Sequence, residues 1–286
     1  MDRTLDISTP TSDRTRVTVI EATPGWAALR LGDLWRYREL LYLLTWRDVK
    51  VRYKQAVLGS GWAIIQPVVT MIVFTLIFGR IAHLPSDGIP YPLFTFAALL
   101  PWTYFSYVLA QAGSSLVYNA GMLSKVYFPR LILPVSAALA GLVDLAISFL
   151  VLIVMMVYFG VHPHAGLLLL PLFLLFAAAA ALSVGIWLAA LNVRYRDVKY
   201  VIPFLTQIWL YASPVAYSAR LVSGKLAFVY SLNPMAGVIE GFRWSLLGVG
   251  SVSILALAPS LVVTTVLLVS GLLYFRRSEQ TFADVV

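Results

Sequence analysis

Six long apolar segments constrain the fold of this chain more than any other feature. They are 17 to 27 residues long and cover residues 62–81, 93–117, 133–159, 167–191, 201–217 and 254–275. A helix of about 20 apolar residues crosses the ~30 Å hydrocarbon layer of a bilayer and satisfies its own backbone hydrogen bonds there. The sequence therefore predicts an all-α, polytopic membrane protein with six transmembrane helices, of which the fifth is short and broken at Ser213-Pro214.

Composition supports a membrane protein and excludes several kinds of site. Hydrophobic residues make up 60% of the chain and charged residues 12%, whereas a soluble domain carries about 25% charged residues. The chain has no cysteine, which excludes disulfides and thiolate metal sites. His162 and His164 lack nearby carboxylates, so they make a poor metal cage and we expect no bound metal.

The distribution of positive charge predicts the orientation. The first 30 residues lack the apolar core of a signal peptide, so we expect the N-terminus to stay in the cytoplasm. With that orientation, 17 of the 21 Lys and Arg residues fall on the inner side and four on the outer side. Cytoplasmic loops are enriched in these residues, so both termini are expected to be cytoplasmic. The charges are spread over separate loops, which argues against a nucleic-acid partner.

Residues 29–57 are predicted to form an amphipathic helix at the membrane surface. It would lie between a cytoplasmic extension (1–28) and a transmembrane domain (58–280), with a short cytoplasmic tail (281–286). One side of the predicted helix combines acidic and basic residues, and the other carries Leu34 and Leu41. The helix either anchors the chain to lipid or also docks a cytoplasmic partner. The docking hypothesis involves Arg36, Arg47 and Lys50.

Two short inner loops, 118–130 and 192–200, mix charged and aromatic residues. They either supply anchoring positive charge or transmit motion from a partner to the spans. The residues assigned to transmission are Tyr127, Phe128, Arg194, Arg196 and Asp197.

The outer segment 218–253 is too long for a tight turn and too apolar for a solvated loop. Asn233-Pro234 is typical of an N-cap followed by proline at the first helical position, so a helix is predicted over 235–247, ending at Gly248. Glu240 and Arg243 lie three residues apart and can form an ion pair. We expect a pair of half-helices that enters the membrane from outside and caps a conduit; the alternative is a helix flat on the outer leaflet.

Polar and aromatic residues inside the spans suggest a passage. Asp144 is the only ionisable residue deep in a span, where it is either functional or a hydrogen-bonded packing residue. The second span is rich in aromatic rings, whose faces suit sugar C–H groups, although rings of this kind also form interfacial belts. The candidate conduit residues are Trp102, Tyr104, Phe105, Tyr107 and Tyr118.

The sequence contains no recognisable motif that could supply energy for transport. A phosphate-binding Gly-x-x-x-x-Gly-Lys-[Ser/Thr] motif is absent from the sequence, and no catalytic set is apparent at one membrane depth. Transport would therefore need a separate energy source or a passive channel. A membrane enzyme would need a catalytic acid or histidine set, and an ion-coupled transporter would need more intramembrane charge than Asp144.

Several stretches carry a resemblance to a known family. They are 45–54, 58–67, 100–102, 125–130, 194–198, 213–215 and 232–234. Over roughly residues 30–280, the chain resembles the membrane subunit of ABC-2 type polysaccharide exporters, the O-antigen and teichoic-acid permeases. The resemblance implies two copies of this chain and two copies of a separate nucleotide-binding subunit, which would hold ATP and Mg²⁺, so this chain needs no cofactor of its own.

The resemblance also implies a transport route in the bacterial inner membrane. A lipid-linked glycan such as O-antigen would pass from the cytoplasm to the outer face through a channel between the two copies. The amphipathic helix and first inner loop would contact the ATPase, and the outer half-helices would gate the exit. Alternatives are export of a capsular polysaccharide, teichoic acid, drug or lipid. Position and charge assign the lipid diphosphate entrance to Arg52, Lys54, Lys125 and Arg130, and the outer gate to Asn233, Pro234, Glu240 and Arg243.

Overall fold

The computed structural model describes residues 31–54, 61–123, 125–222, 224–250, 254–279 and 282. Every regular element in these ranges is a helix, which confirms the predicted all-α class. The extension 1–28 and nearly all of the tail 281–286 lie outside the described residues. So does the segment 55–60, which joins the amphipathic helix to the first span.

Eleven α-helices are described in these ranges. They are α1 (Leu31–Arg36), α2 (Arg38–Lys54), α3 (Gly61–Phe74), α4 (Tyr91–Tyr118), α5 (Ala120–Leu123), α6 (Ile132–Phe159), α7 (Leu170–Arg194), α8 (Val198–Tyr211), α9 (Lys225–Ser231), α10 (Pro234–Leu247) and α11 (Ile254–Glu279). A π-helical continuation, Thr75–Ile81, extends α3, and the 3₁₀ turn Ala165–Leu169 leads into α7.

Five continuous helices in the described part of the chain are long and apolar enough to cross a membrane. They are Gly61–Ile81, Tyr91–Tyr118, Ile132–Phe159, Ala165–Arg194 and Ala256–Glu279. The predicted fifth span, 201–217, corresponds to α8 and an irregular segment after it. Helix α8 has 14 residues, or about 21 Å, so it does not cross ~30 Å of hydrocarbon by itself. A sixth crossing stays a prediction.

Helix α4 lies at the centre of the protomer. In its most apolar stretch 78% of the residues are buried, against 11% in the first span and 17% in the last. It packs against α3, α6, α7, α8 and α10. The aromatic span predicted to line a conduit is therefore the most enclosed of the five, which limits which of its side chains can reach a passage.

The two ends of α4 define the two ends of the bundle. Its 28 residues extend about 42 Å. Tyr91, at the start, donates a hydrogen bond to the Ala216 carbonyl near α10, and we call this the α10 end. Tyr118, at the other end, lies in a cavity with Arg47 of α2. We call that the basic end, and the positive-inside rule predicts that it is cytoplasmic.

One face of helix α2 packs lengthwise against α6, and another face of the helix is exposed. Leu44 is 5% exposed and joins a buried cluster with Phe128 and Ile132. The Ser136 hydroxyl lies 3.5 Å from Asp48 Oδ2. One turn further along α2, Arg52 pairs with Asp144, which is about two turns further along α6. The two helices therefore run in the same direction here. The end of α2 lies beside Asp144, twelve residues or about 18 Å from the start of α6 at Ile132.

Candidate functional site

Two adjoining cavities with polar and charged linings lie beside α2, α4 and α6. One of about 440 Å³ lies among α2, α4 and α6, and one of about 470 Å³ lies among α2, α3, α4, α6 and α8. They share Arg52 and Tyr107, and we call them together the Arg52 groove. Its other polar and aromatic lining residues include Arg47, Asp48, Tyr53, Trp62, Gln66, Thr103, Tyr104, Ser106, Gln111, Ser115, Tyr118, Asp144, Ser148 and Thr206.

One stripe of α4 supplies a wall of the groove. Tyr104, Tyr107, Gln111, Ser115 and Tyr118 are spaced three or four residues apart and all line it. That spacing places side chains on one face of a helix. The stripe combines aromatic rings with amide and hydroxyl groups, which can stack on a sugar ring and exchange hydrogen bonds with its hydroxyls.

Asp144 is the anionic centre of the groove. Its Oδ2 pairs with Arg52 Nη1, and its Oδ1 accepts a hydrogen bond from the Tyr53 hydroxyl. Burial, and then the bond to Asp144, raise the pKa of Tyr53, so the phenol stays protonated and keeps donating. The Arg52 guanidinium also lies 4.2 Å from the centre of the Tyr107 ring, a cation–π distance. Three helices therefore meet at one charged cluster.

Helix α6 also contacts the first span, just beyond this cluster. The Ser148 hydroxyl, one turn after Asp144, donates to the Ala63 carbonyl at 3.1 Å. Residues 52–53 and 63 stand on either side of the undescribed segment 55–60. One face of α6 therefore holds both sides of the junction between the amphipathic helix and the first span.

The four cations predicted at the entrance do not share one environment. All three of Arg52, Lys54 and Lys125 are exposed, but Lys54 and Lys125 line neither cavity of the groove, whereas Arg52 lines both. Arg130 is engaged elsewhere: its Nη1 donates to the Glu279 carbonyl, and its backbone N–H lies 3.4 Å from Glu279 Oε1. Glu279 in turn pairs with Arg276 at 2.5 Å. Arg130 therefore links the first inner loop to the end of α11.

The predicted conduit aromatics divide into two groups. Tyr104, Tyr107 and Tyr118 lie on the stripe of α4 that lines the groove. Trp102 and Phe105 line neither cavity and are 5% and 0% exposed, and the Phe105 ring meets Trp209 edge-on with centroids 5.0 Å apart. Tyr104 lines the groove although it is itself only 3% exposed. Trp102 and Phe105 therefore point to a different side of α4 from the three tyrosines, so the five aromatic residues do not form the single surface that was predicted.

The residues predicted to couple to a partner lie mostly on exposed surface. Arg36, Lys50, Arg194, Arg196 and Asp197 are exposed. Arg47 pairs with Asp48 at 2.8 Å. Within the first inner loop, Tyr127 is 72% exposed while Phe128 is 4% exposed. Phe128 therefore anchors the loop, and Tyr127 is available to contact a partner.

Arg243 organises the opposite, α10 end. Its side chain is 1% exposed and lies over the Phe94 ring, 3.6 Å from its centre. Its nitrogens donate to the carbonyls of Val215 at 2.8 Å, Tyr217 at 3.2 Å and Phe94 at 3.3 Å, and its Nη1 lies 3.4 Å from Glu240 Oε1, the predicted pair. Burial lowers the pKa of Arg243 to about 10, which still leaves it charged at neutral pH.

Asn233 completes this end as the N-cap that the sequence predicts. Its Oδ1 accepts from the Met235 N–H at 3.0 Å and from Trp209 Nε1 at 2.8 Å. Its Nδ2 donates to the Ala212 carbonyl at 3.1 Å and the Ser213 hydroxyl at 3.0 Å. Pro234 begins α10, and Gly248 ends it with φ +70°. The irregular segment after α8 is thus held by side chains of Asn233 and Arg243, which replace its missing helical hydrogen bonds.

Sequence reasoning identified Asp144 and Arg52 separately but missed their contact. It also left out Tyr53, Gln66 and Ser148. The heptad-like spacing of Tyr104, Tyr107, Gln111 and Ser115 was a usable signal for the groove, because polar residues repeat there on one face of a buried span. No cluster of three or more His, Asp or Glu side chains suited to a metal occurs in the part of the chain that the structure describes.

The chain is similar in sequence to a known transporter family and to several named export and transport proteins. Residues 39–247 match the family described as "ABC-2 type transporter". The chain is 30% identical over 214 residues to the "O-antigen export system permease protein RfbA" of Myxococcus xanthus, covering 74% of this chain and 81% of that protein. The Klebsiella pneumoniae protein of the same name is 25% identical over 249 residues, which cover 87% and 95%. The "Polysialic acid transport protein KpsM" of Escherichia coli is 24% identical over 248 residues, covering 85% and 93%.

Proposed function

Since the chain belongs to the ABC-2 type transporter family, we propose that it is the membrane permease subunit of an ATP-driven exporter of a lipid-linked, O-antigen-like polysaccharide. The main support for this function is the family match over residues 39–247, together with the similarity to proteins named as O-antigen export permeases. The polar and aromatic lining of the Arg52 groove supports a saccharide cargo, because such side chains stack on and hydrogen-bond to sugars.

The proposed assembly contains two copies of this chain and two copies of a separate nucleotide-binding subunit. ATP and Mg²⁺ would be held by that partner, in line with the absence of a phosphate-binding motif in this sequence. The proposed docking surface consists of the exposed coupling residues Arg36, Arg47, Lys50, Tyr127, Arg194, Arg196 and Asp197. The proposed location is the bacterial inner membrane with both termini cytoplasmic, supported by the charge asymmetry.

The second copy is proposed to cover the open side of the groove. Apolar side chains on both flanking helices are exposed in the single chain: Val69 on α3 is 51% exposed, and Phe204 and Ile208 on α8 are 65% and 52% exposed. Pairing of two chains along α3 and α8 would bury these residues and turn two grooves into one enclosed passage. The buried network of Arg243 and Asn233 would form its exit gate.

Loss of this chain is expected to strand the glycan inside the cell. In a deletion strain, lipid-linked polysaccharide should accumulate in the cytoplasmic leaflet, and surface polysaccharide, measured by gel and by antibody on intact cells, should disappear until the gene is restored. A deletion strain that kept normal surface polysaccharide but lost export of a drug or a lipid would contradict the proposal.

A capsular polysaccharide is the second candidate cargo. The similarity to the protein named as a polysialic acid transporter favours it, because that match covers 85% of this chain. The two candidates predict that the deletion strain loses different surface polysaccharides. Loss of capsule with intact lipopolysaccharide would select the second candidate, and the converse would select the first.

Arg52 and Lys54 are expected to be required for transport. Changing both to Gln removes the cations that we assign to the lipid diphosphate, since charged donors bind phosphate groups strongly. We expect export to fall at least about tenfold, the effect of losing one charge-assisted interaction of ~1.5–3 kcal/mol. The measurement is surface polysaccharide per cell at equal permease level. A matched control is Arg80→Gln with Arg277→Gln, which removes two exposed cations that lie outside both the assigned entrance and the proposed docking surface.

The double variant should keep the partner's basal ATPase activity while losing its stimulation by lipid-linked glycan. Normal export with normal ATPase coupling in this variant would show that the entrance lies elsewhere.

A further inference from the structure

We infer that Asp144 is an exchangeable counter-ion, which holds Arg52 while the groove is empty and yields it to the diphosphate group of an incoming lipid-linked substrate. The inference rests on the proposed function and adds the residue that the diphosphate must displace. It gives Asp144 a role in substrate admission, in addition to packing between helices.

Among the described residues, the ion pair and the hydrogen bond of Asp144 both involve the last turn of α2. Arg52 takes one carboxylate oxygen and Tyr53 takes the other. An unpaired carboxylate at membrane depth is costly, about 2.5 kcal/mol or more. Asp144 therefore needs these partners, and the end of α2 is fastened to α6 for as long as it keeps them.

The two partners differ in how accessible they are. The Arg52 side chain is 40% exposed, whereas that of Asp144 is 18% exposed. Arg52 also lines both cavities, whose volumes are about 440 and 470 Å³. An anion in either cavity can therefore reach the guanidinium without unpacking α6, while the carboxylate stays behind it.

The chemistry of the guanidinium suits such an exchange. It has five N–H donors in a planar fork that matches carboxylate and phosphate oxygens equally well. A diphosphate brings more negative charge than one carboxylate, so it competes for the same donors. Tyr107, 4.2 Å from Arg52, belongs to α4 and can keep the guanidinium plane in place during the exchange.

The exchange has a mechanical consequence. Once Arg52 binds the diphosphate, one of the two side-chain contacts that fasten α2 to Asp144 is gone. Helix α2 leads into the first span through 55–60 and carries the charged surface proposed to dock the ATPase. Arrival of the substrate would thus loosen the end of α2, which the Tyr53 hydrogen bond would still hold to Asp144.

Binding measurements on the full chain test the exchange. The protein would be placed in phosphatidylcholine nanodiscs and titrated with farnesyl diphosphate and with inorganic diphosphate. We expect Asp144→Asn to bind farnesyl diphosphate about tenfold more tightly than the unmodified chain, because Arg52 no longer has to leave a carboxylate. Glu39→Gln, which removes one exposed negative charge from α2, the helix that carries Arg52, should bind like the unmodified chain. Asp144→Asn with Arg52→Gln should lose the gain.

The outcomes separate this inference from the proposed function. Unchanged or weaker binding by folded Asp144→Asn overturns the exchange. If Arg52→Gln then still weakens binding and export, the proposed entrance stands without it. If Arg52→Gln changes neither, the entrance itself is wrong. Tighter binding of farnesyl diphosphate alone supports a lipid-borne anion, tighter binding of both probes supports diphosphate recognition from either source, and tighter binding of inorganic diphosphate alone overturns the lipid-borne form.

A second measurement does not depend on how Asp144→Asn folds. Because the chain has no native cysteine, Leu43→Cys on α2 and Leu150→Cys on α6, both exposed positions, can carry a pair of spin labels. With excess unlabelled chain present, farnesyl diphosphate is expected to lengthen and broaden the distance between the labels. An unchanged distance distribution at saturating farnesyl diphosphate overturns the loosening of α2.

Discussion

Replacing Arg243 by methionine is expected to lower the thermal midpoint of the purified protein by roughly 10 °C and to abolish export. The change leaves Glu240 without its cation and leaves the Val215 and Tyr217 carbonyls without their donors. Removing one partner of a buried charge pair costs about 3–5 kcal/mol, more than a hydrophobic side chain of similar length recovers. Thermal unfolding of detergent-solubilised protein and surface polysaccharide per cell are the two measurements.

Arg220→Met is the matched control at the same end of the bundle. The Arg220 side chain is 60% exposed and lies 3.7 Å from Asp87, so its loss should cost at most about 1 kcal/mol. Arg243→Lys keeps the charge but not the fork of donors, and it should fall between the two. A stable, exporting Arg243→Met protein would mean that the segment after α8 does not depend on this residue.

The change Gly241→Ala is expected to separate α10 from α7 and to destabilise the protein by about 1–3 kcal/mol. A Cβ at Gly241 would lie 2.1 Å from Cδ1 of Phe173. Phe173 is 4% exposed and cannot move aside without displacing its neighbours. Gly121→Ala, where an added Cβ meets nothing within 4 Å, is the control for thermal unfolding measurements.

A double-mutant cycle can assign the effect to this contact. Phe173→Leu shortens the ring that the new methyl group would meet, so Gly241→Ala should cost less in the Phe173→Leu background than in the native one, by about 0.5–3 kcal/mol of coupling. Additive effects would place the cause of any destabilisation outside the contact between α10 and α7.

The α10 end was predictable because its signals are local. An Asn-Pro pair sets the start of a helix, a glycine sets its end, and Glu240 and Arg243 are close simply because they are three residues apart. The structure confirms the cap, the helix and the ion pair. What the sequence did not reveal is that Arg243 also binds the carbonyls of Val215 and Tyr217, since those contacts depend on where α10 sits against the segment after α8.

The groove was less predictable because its contacts are distant in sequence. Tyr53 and Asp144 are 91 residues apart, and nothing in either segment specifies that they meet. The aromatic content of the second span did point to α4, but only the phase of the helix separates Tyr104 and Tyr107 from Trp102 and Phe105. A passage predicted from composition therefore included Trp102 and Phe105, which line neither cavity of the groove.

The enclosure of α4 by its own chain affects how the protein responds to bilayer thickness. Lipid-facing spans must match the hydrocarbon layer, at a cost of fractions of a kcal/mol per Å of mismatch. Helix α4 meets protein on most sides, so its length of about 42 Å can exceed a ~30 Å layer without tilting. Thinning or thickening of the membrane would instead act on the exposed first and last spans and bend them around a fixed central helix.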